Sequence, residues 1–232
     1  MSAICGVLNL NGCPLGQEVI SSMTRALAHR GPDGHGTWCG SRVSLGQRML
    51  HTTPESLRDK QPLLRLHSGL TLVADARIDN REELRAALRI AREPAPTDGE
   101  LIALAYEHWG PRCAERLIGD FAFAIWDERA QTLFCARDPM GVKPLYYVRD
   151  ADRFAFASEL KALLVVPGID STIDPEQIAL FIGWHHEDRT RTVYRSLMRL
   201  PAAHILQVSP ERTICQRYWT AASSRQQEDG AM

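Results

Sequence analysis

The sequence contains no run of about twenty apolar residues of the kind that spans a bilayer, and its amino end lacks the basic flank and apolar centre of a signal peptide. We therefore predict a cytoplasmic protein with no membrane partner. An excess of one charge is also missing, because 27 Lys+Arg stand against 28 Asp+Glu and the net charge is -1. This balance gives no electrostatic reason to expect a nucleic acid partner. The expected partner is a small molecule or another protein.

Signatures of cofactor binding are absent as well. There is no phosphate loop of the G-x-x-x-x-G-K-[ST] type and no G-x-G-x-x-G after a strand, so nothing supports ATP or dinucleotide binding by this chain. The 6 cysteines are scattered without zinc spacing, which favours free thiols. Residues 185–188 (His-His-Glu-Asp) are interpreted as a solvated loop, because adjacent histidines point in different directions. We expect neither a metal nor a cofactor in this chain.

Hydrophobic periodicity divides the 232 residues into strands and helices. Helices are predicted over 15–28, after Asp79-Asn80, from Asp98, and over 159–164 and 175–184. Strands are predicted over 37–39, 43–47, 70–76, 121–126, 132–136, 145–148, 154–157 and 204–208, and residues 220–232 read as a polar, disordered tail. Because strands come in antiparallel-looking runs and helices in separate groups, we predict one domain, a layered α+β sandwich.

Cys5 is the likeliest nucleophile that the residue pattern offers. It is followed by Gly6 and begins a strand-like apolar run close to the amino end. A thiolate attacks carbonyl carbon well but needs a base, and a free amino group on the same residue could serve as that base. This would require removal of residues 1–4. The alternative is that Cys5 is a small buried hydrophobe on a core strand, and the pattern leaves both open.

A series of short motifs follows in one order along the chain. They are Cys5-Gly6, Arg30-Gly31-Pro32-Asp33-Gly34, Leu45-Gly46-Gln47-Arg48, Gln61-Pro62-Leu63, Thr97-Asp98, Gly119-Asp120-Phe121-Ala122-Phe123-Ala124, Ala136-Arg137-Asp138, Gly141-Val142-Lys143-Pro144-Leu145-Tyr146, Ala157-Ser158-Glu159-Leu160-Lys161-Ala162-Leu163, Leu200-Pro201 and Tyr218-Trp219. Each motif alone is weak. The ordered set closely resembles the class II glutamine amidotransferase domain of asparagine synthetase, so residues 1–219 are predicted to form that domain.

The resemblance implies a fold and a reaction. The fold is that of N-terminal-nucleophile hydrolases, a four-layer α/β/β/α sandwich of two antiparallel sheets. In the reaction, a cysteine attacks the side-chain amide of glutamine, ammonia leaves, and water releases glutamate. The family passes the ammonia to a second domain that activates a carboxylate with ATP. ATP and Mg²⁺ are therefore expected only on a synthetase domain or partner protein that these residues do not include.

Carried over residue by residue, the resemblance implies a changed catalytic centre. Cys5 matches the family's nucleophile, although the family usually begins Met-Cys and residues 2–4 intervene here. Asp75 and Ala76 stand where the family's Asn side chain and Gly backbone form the oxyanion hole. An acid at position 75 removes an amide donor, and losing one such donor costs about a hundred- to a thousandfold in rate.

The residues that would bind glutamine are changed as well. Met49 aligns with the Arg that binds the substrate carboxylate, and Arg48 beside it is a second candidate. A thioether cannot replace a bidentate guanidinium. Arg77 stands where the family has a Glu. Asp98, the family's partner for the glutamine amino group, is retained.

These changes resemble a branch in which the domain is a structural remnant, as in β-lactam synthetase and the lasso-peptide cyclases. The first hypothesis is a glutamine amidotransferase-type domain with impaired or lost glutaminase activity, associated with ATP-dependent amide formation elsewhere. The second is a non-catalytic module that stabilises a separate synthetase or peptide cyclase. The third is an active glutaminase formed when residues 1–4 are removed.

Overall fold

The computed structural model describes residues 1–12, 16–91, 93–184 and 188–221. The helices are α1 (Gln17–Ala26), α2 (Arg81–Ala87), α3 (Asp98–Trp109), α4 (Leu160–Leu164) and α5 (Pro175–Ile182), with 3₁₀ helices at Glu55–Arg58 and Gly110–Arg116. The strands are β1 (Ala3–Asn9), β2 (Gly34–Cys39), β3 (Val43–Met49), β4 (Leu63–Arg65), β5 (Leu70–Ile78), β6 (Gly119–Asp127), β7 (Thr132–Arg137), β8 (Tyr146–Arg149), β9 (Arg153–Ala157), β10 (Met198–Arg199), β11 (His204–Val208) and β12 (Thr213–Arg217). Within the described ranges, no helix is long and apolar enough to cross a membrane.

Two six-stranded antiparallel sheets form the centre of the molecule. Sheet A has the order β10-β8-β9-β1-β3-β2, and sheet B has the order β12-β11-β7-β6-β5-β4. Apolar side chains from both sheets pack face to face between them. Helices α1 and α4 cover the outer face of sheet A, and α3 covers the outer face of sheet B. The predicted α/β/β/α sandwich is therefore confirmed.

Strand β1 is central in sheet A and is buried on both faces. Successive side chains of a strand point to opposite faces. Ile4 and Leu8 accordingly face sheet B, whereas Ala3, Cys5 and Val7 pack under the helices. This alternation decides which side chains of the amino end can reach a site between the sheets.

Most predicted elements are confirmed, and the differences lie at boundaries and sheet edges. Strand β2 begins at Gly34, three residues before its predicted start, and β3 extends to Met49. The edge strands β4, β10 and β12 were not predicted, and β4 and β10 have only three and two residues, too few to show alternation. The predicted start of the first helix at Leu15 and most of the tail lie outside the described residues.

Helix α3 begins at Asp98, as predicted, and is capped by the residue before it. Thr97, not Asp98, is the N-cap, and it forms a capping box with Glu100. In this arrangement the Thr97 hydroxyl accepts from the Glu100 N–H at 3.2 Å, and the Glu100 carboxylate accepts from the Thr97 N–H at 2.8 Å. The Asp98 side chain therefore does not cap the helix and can face a site.

Candidate active site

A cavity of about 380 Å³ opens between the sheets, where β1 begins and β5 ends. Its volume is in the range of small-molecule sites. Five predicted site residues line it together, namely Met49, Asp75, Ala76, Arg77 and Asp98. Cys5 and Arg48 are not among its lining residues.

Cys5 lies on the helix-facing side of β1. Its side chain is fully buried, and its Sγ lies 3.6 Å from the Thr24 hydroxyl of α1. Burial raises the pKa of the Cys5 thiol to about 12, so the reactive thiolate is scarce at neutral pH. Removal of residues 1–4 would also delete Ala3 and Ile4, which pair with β3.

Ser2, together with Met1, lines the cavity from the amino end. It lies on the same side of the chain as Ile4, lines the cavity, and its Oγ accepts from the Leu50 N–H at 3.0 Å. Ser2 was not predicted as a site residue, because Cys5 was matched to the family's nucleophile. The family begins Met-Cys and this chain reads Met1-Ser2, so counting from the methionine would have singled out Ser2.

Asp75 forms two ion pairs at the wall of the cavity. One carboxylate oxygen lies 2.8 Å from Lys143 Nζ and the other 3.5 Å from the Arg30 guanidinium. Its side chain is only 3% exposed. Burial raises the pKa of the Asp75 carboxyl, and Lys143 and Arg30 oppose that rise. An ionised carboxylate only accepts hydrogen bonds, so Asp75 offers no donor to an oxyanion.

Ala76 is the other residue aligned with the family's oxyanion hole. It lies opposite Phe121 in the β5–β6 ladder, and its side chain packs against the outer core of sheet B. The strand therefore keeps a regular antiparallel geometry at this point. Asp75, rather than Ala76, supplies the polar side chain that β5 presents to the cavity.

A rigid loop after β7 holds Lys143 in place. Arg137 is buried, and its guanidinium donates to the carbonyl oxygens of Gly141, Lys143 and Leu200 at 2.6 to 2.7 Å. The Asp138 carboxylate accepts from the backbone N–H groups of Met140, Val142 and Lys143 at 2.9 to 3.1 Å. The charged groups of this loop therefore bind backbone atoms, which fixes the loop that carries Lys143.

Met49 and Arg48 leave β3 on opposite sides. Met49 lines the cavity, and its Sδ lies 3.5 Å from the Ser2 hydroxyl. Arg48 donates from Nε to the Thr24 carbonyl oxygen of α1 at 3.0 Å. Arg48 therefore does not supply the guanidinium that is missing at position 49.

Arg77 is at the rim of the cavity, where its side chain is 56% exposed. It pairs with Asp79 at 2.9 Å and with Asp120 at 3.1 Å. Asp79 follows β5 directly and Asp120 is in β6, so the arginine is held where β5 ends and β6 begins. A ligand that binds the Arg77 guanidinium would have to compete with these two carboxylates.

Asp98 faces the cavity but is already paired. Arg81 of α2 donates to its carboxylate and to the carbonyl oxygen of Pro96. The Asp98 side chain is 12% exposed. Burial raises the pKa of the Asp98 carboxyl to about 6, with Arg81 opposing the rise. An amino group of glutamine would have to compete with Arg81 for this carboxylate.

The raised pKa of Asp98 predicts a pH dependence of stability. A carboxyl whose pKa is higher in the folded than in the unfolded state stabilises the fold fully below its unfolded pKa of about 4. That contribution is lost as the pH rises through about 6. Relative to Asp98→Asn, the wild-type free energy of unfolding should therefore fall by about 2 to 3 kcal/mol between pH 4 and 7.

Urea unfolding of both proteins at each pH, with an NMR titration of the carboxyl, measures this difference. Asp79→Asn is the matched control, because Arg77 holds the pKa of that exposed carboxyl below its usual range. The control difference should change with pH in the opposite direction. An Asp98 midpoint at or below 4 would contradict the geometry.

Metal ligands do not gather at the cavity. Among residues 1–12, 16–91, 93–184 and 188–221, no group of three or more His, Cys, Asp or Glu side chains could hold a metal ion. Residues 185–187, part of the segment interpreted as a solvated loop, lie outside these ranges. The five cysteines in the described ranges are free thiols.

The two-sheet sandwich, with a cavity where β1 begins, is the architecture expected of the N-terminal-nucleophile hydrolase fold. A family model described as "Glutamine amidotransferase domain" matches residues 1–219. The chain belongs to this family. It is 30% identical over 214 residues to Asparagine synthetase [glutamine-hydrolyzing] 3 of Bacillus subtilis, with 90% of the chain aligned. It is 34% identical over 220 residues to a putative asparagine synthetase [glutamine-hydrolyzing] of Mycobacterium bovis, with 85% of the chain aligned.

Solved structures support the fold. Glutamine phosphoribosylpyrophosphate amidotransferase from B. subtilis, complexed with ADP and GMP, superposes with a TM-score of 0.67 at 16% identity. The match covers 94% of this chain and 50% of that one. The chain spans only 35% and 34% of the two synthetase relatives. The match to those relatives therefore concerns one part of them.

Proposed function

We propose that this glutamine amidotransferase domain has impaired or lost glutamine hydrolysis and supports ATP-dependent amide formation carried out elsewhere. The observation that carries the proposal is the ion pair between Asp75 and Lys143. Lys143 lies within a motif of the family, whereas Asp75 departs from the family's Asn. One substitution thus replaces an amide donor with an anion that Lys143 neutralises.

Three further features support loss of hydrolysis. The residue that faces the cavity from the start of β1 is Ser2, and a hydroxyl is a weak nucleophile unless a base activates it. Met49 offers a thioether where the family binds the substrate carboxylate. Asp98 is held by Arg81. The nucleophile, the oxyanion donor and the carboxylate anchor are therefore replaced, and the retained Asp98 is already paired.

ATP and Mg²⁺ belong, in this proposal, to a synthetase domain or partner protein. The asparagine synthetase relatives are about three times as long as the part that aligns with this chain. The second candidate function is a module that stabilises a separate synthetase or peptide cyclase without chemistry of its own. The buried ion pairs of Asp75 with Lys143 and Arg30 favour such a structural role.

A glutamine analogue bearing a diazoketone tests the proposal, because it alkylates an activated active-site thiol. The intact mass of the wild-type chain should be unchanged after treatment, and the same spectrum reports the residue at the amino end. An adduct that disappears in Cys5→Ala, on a chain beginning at Cys5, would instead establish the glutaminase formed by removal of residues 1–4. An adduct that disappears in Ser2→Ala would show that Ser2 is an activated nucleophile and would overturn the proposal.

A further inference from the structure

A second, larger cavity lies at the opposite end of sheet B. It has a volume of about 660 Å³ and is bounded by three hairpin turns and the carboxyl end of α3. Leu70, which lines it, is at the start of β5, opposite Asp127 of β6. Asp75 lies five residues further along β5, roughly 17 Å away in an extended strand. This cavity is therefore separate from the candidate active site.

One wall of the second cavity is apolar. Leu70, the Tyr106 ring, Pro111 and Ile214 contribute to it. Tyr106 is held in position by Phe134, with ring centroids 5.2 Å apart. A flat or chain-like apolar group can pack against such a wall, and its volume suits a small ligand.

The acidic side chains of this cavity are already satisfied. Glu107 accepts a bidentate pair from Arg65 at 2.8 and 3.0 Å, and Ser68 donates to it at 2.6 Å. Asp127 accepts from the backbone N–H groups of Arg129 and Ala130 at 3.0 and 2.9 Å. Neither carboxylate is left without donors.

The basic side chains are not satisfied in the same way. Arg129 donates to the carbonyl oxygen of His67, and no carboxylate in the described part of the chain pairs with it. Across the same described residues, the side chains of Arg212, Gln207 and Tyr106 make no hydrogen bond or salt bridge. The cavity thus offers two guanidinium groups and two neutral polar groups beside an apolar wall.

We propose that this cavity binds a small organic anion with an apolar body. The apolar body packs on Leu70, Tyr106 and Ile214, and the anionic group pairs with Arg212 and Arg129. Guanidinium groups suit carboxylate, sulfonate and phosphate oxygens because their donors are arranged as a fork. Gln207 and the Tyr106 hydroxyl can hydrogen-bond a further polar atom of the ligand.

Two fluorescent probes with related bodies test the proposal. 8-Anilinonaphthalene-1-sulfonate carries an anion, and N-phenyl-1-naphthylamine is its uncharged analogue. The folded wild-type chain should bind the sulfonate saturably, with a Kd at least about tenfold below that of the amine. Arg212→Glu should remove this preference. Arg217→Glu is the matched control, because Arg217 is exposed on the same hairpin and does not line the cavity.

A third variant tests the location. Gln207→Trp fills the cavity and should weaken both probes by about tenfold or more, while circular dichroism and the unfolding midpoint report that the protein stays folded. Equal sulfonate affinity in Arg212→Glu and Arg217→Glu would overturn the proposal. Unchanged binding to folded Gln207→Trp, or no preference for the sulfonate in the wild type, would overturn it as well.

Discussion

Replacing Lys143 with Met is expected to lower the free energy of unfolding by about 3 kcal/mol. The change leaves the Asp75 carboxylate buried, with only Arg30 as a charged partner at 3.5 Å. Removing one member of a buried ion pair is costly because the remaining charge has lost both water and its counter-ion. Urea unfolding at pH 7 measures the difference.

The double variant Asp75→Asn with Lys143→Met separates this cause from a general packing defect. Removing both charges should restore the free energy of unfolding to within about 1 kcal/mol of the wild type, because a neutral amide costs far less to bury than an unpaired charge. Lys161→Met is a control for loss of a lysine, since Lys161 is half exposed and pairs with Glu159 at the surface. It should cost less than about 1 kcal/mol.

These variants also distinguish an ion pair from a loop defect. If the double variant were as unstable as Lys143→Met alone, the loss would come from the Lys143 side chain and its loop. The ion pair between Asp75 and Lys143 would then contribute nothing measurable. The structural role proposed for this ion pair would have to be abandoned.

Restoring the family's residues at the cavity is expected to create glutamine hydrolysis. The variant combines Ser2→Cys, Met49→Arg, Asp75→Asn, Ala76→Gly and Arg77→Glu. It returns the nucleophile, the carboxylate anchor and the amide donor of the oxyanion hole to one cavity. Glutamate release should exceed that of a matched chain lacking only Ser2→Cys by at least about a hundredfold, because a hydroxyl is a weaker nucleophile than a thiol and loss of the nucleophile costs more than that in other amide hydrolases.

The nucleophile in this variant also requires cleavage of the bond between Met1 and Ser2, which frees an amino group to act as the base. Intact mass confirms the cleavage before rates are compared. Equal release with and without Ser2→Cys, in chains cleaved at that bond and folded, would contradict the assignment of position 2. A chain that carries the other four substitutions but lacks Asp75→Asn measures the share of the rate due to the oxyanion donor.

The sequence predicted the fold better than it predicted the nucleophile. Runs of strands and separate helices indicated a layered sandwich, and the motif order indicated the family. The sequence of β1 does not show which side chains face the cavity, because a strand buried on both faces shows no alternation of polar and apolar residues. Cys5 and Ile4 look equally buried in the sequence, and only the packing of β1 under α1 and against sheet B separates their faces.

Pairing across the site could not be read from the chain either. Asp98 was predicted to bind an amino group, and Arg81 reaches it from another helix. Lys143 reaches Asp75 of β5 from the loop that follows β7. Such contacts depend on how sheets and helices pack, not on local spacing. The changed residues were visible in the sequence, and the ion pairs that they form required the structure.

Glutamate release from glutamine by the wild-type chain tests the central claim most directly. It should be measured beside Ser2→Ala and Cys5→Ala, with the amino-terminal residue of each preparation determined by mass. The account predicts that all three release glutamate no faster than a heat-denatured sample. Release by the wild type that is lost in either variant would contradict the claim that this cavity no longer hydrolyses glutamine.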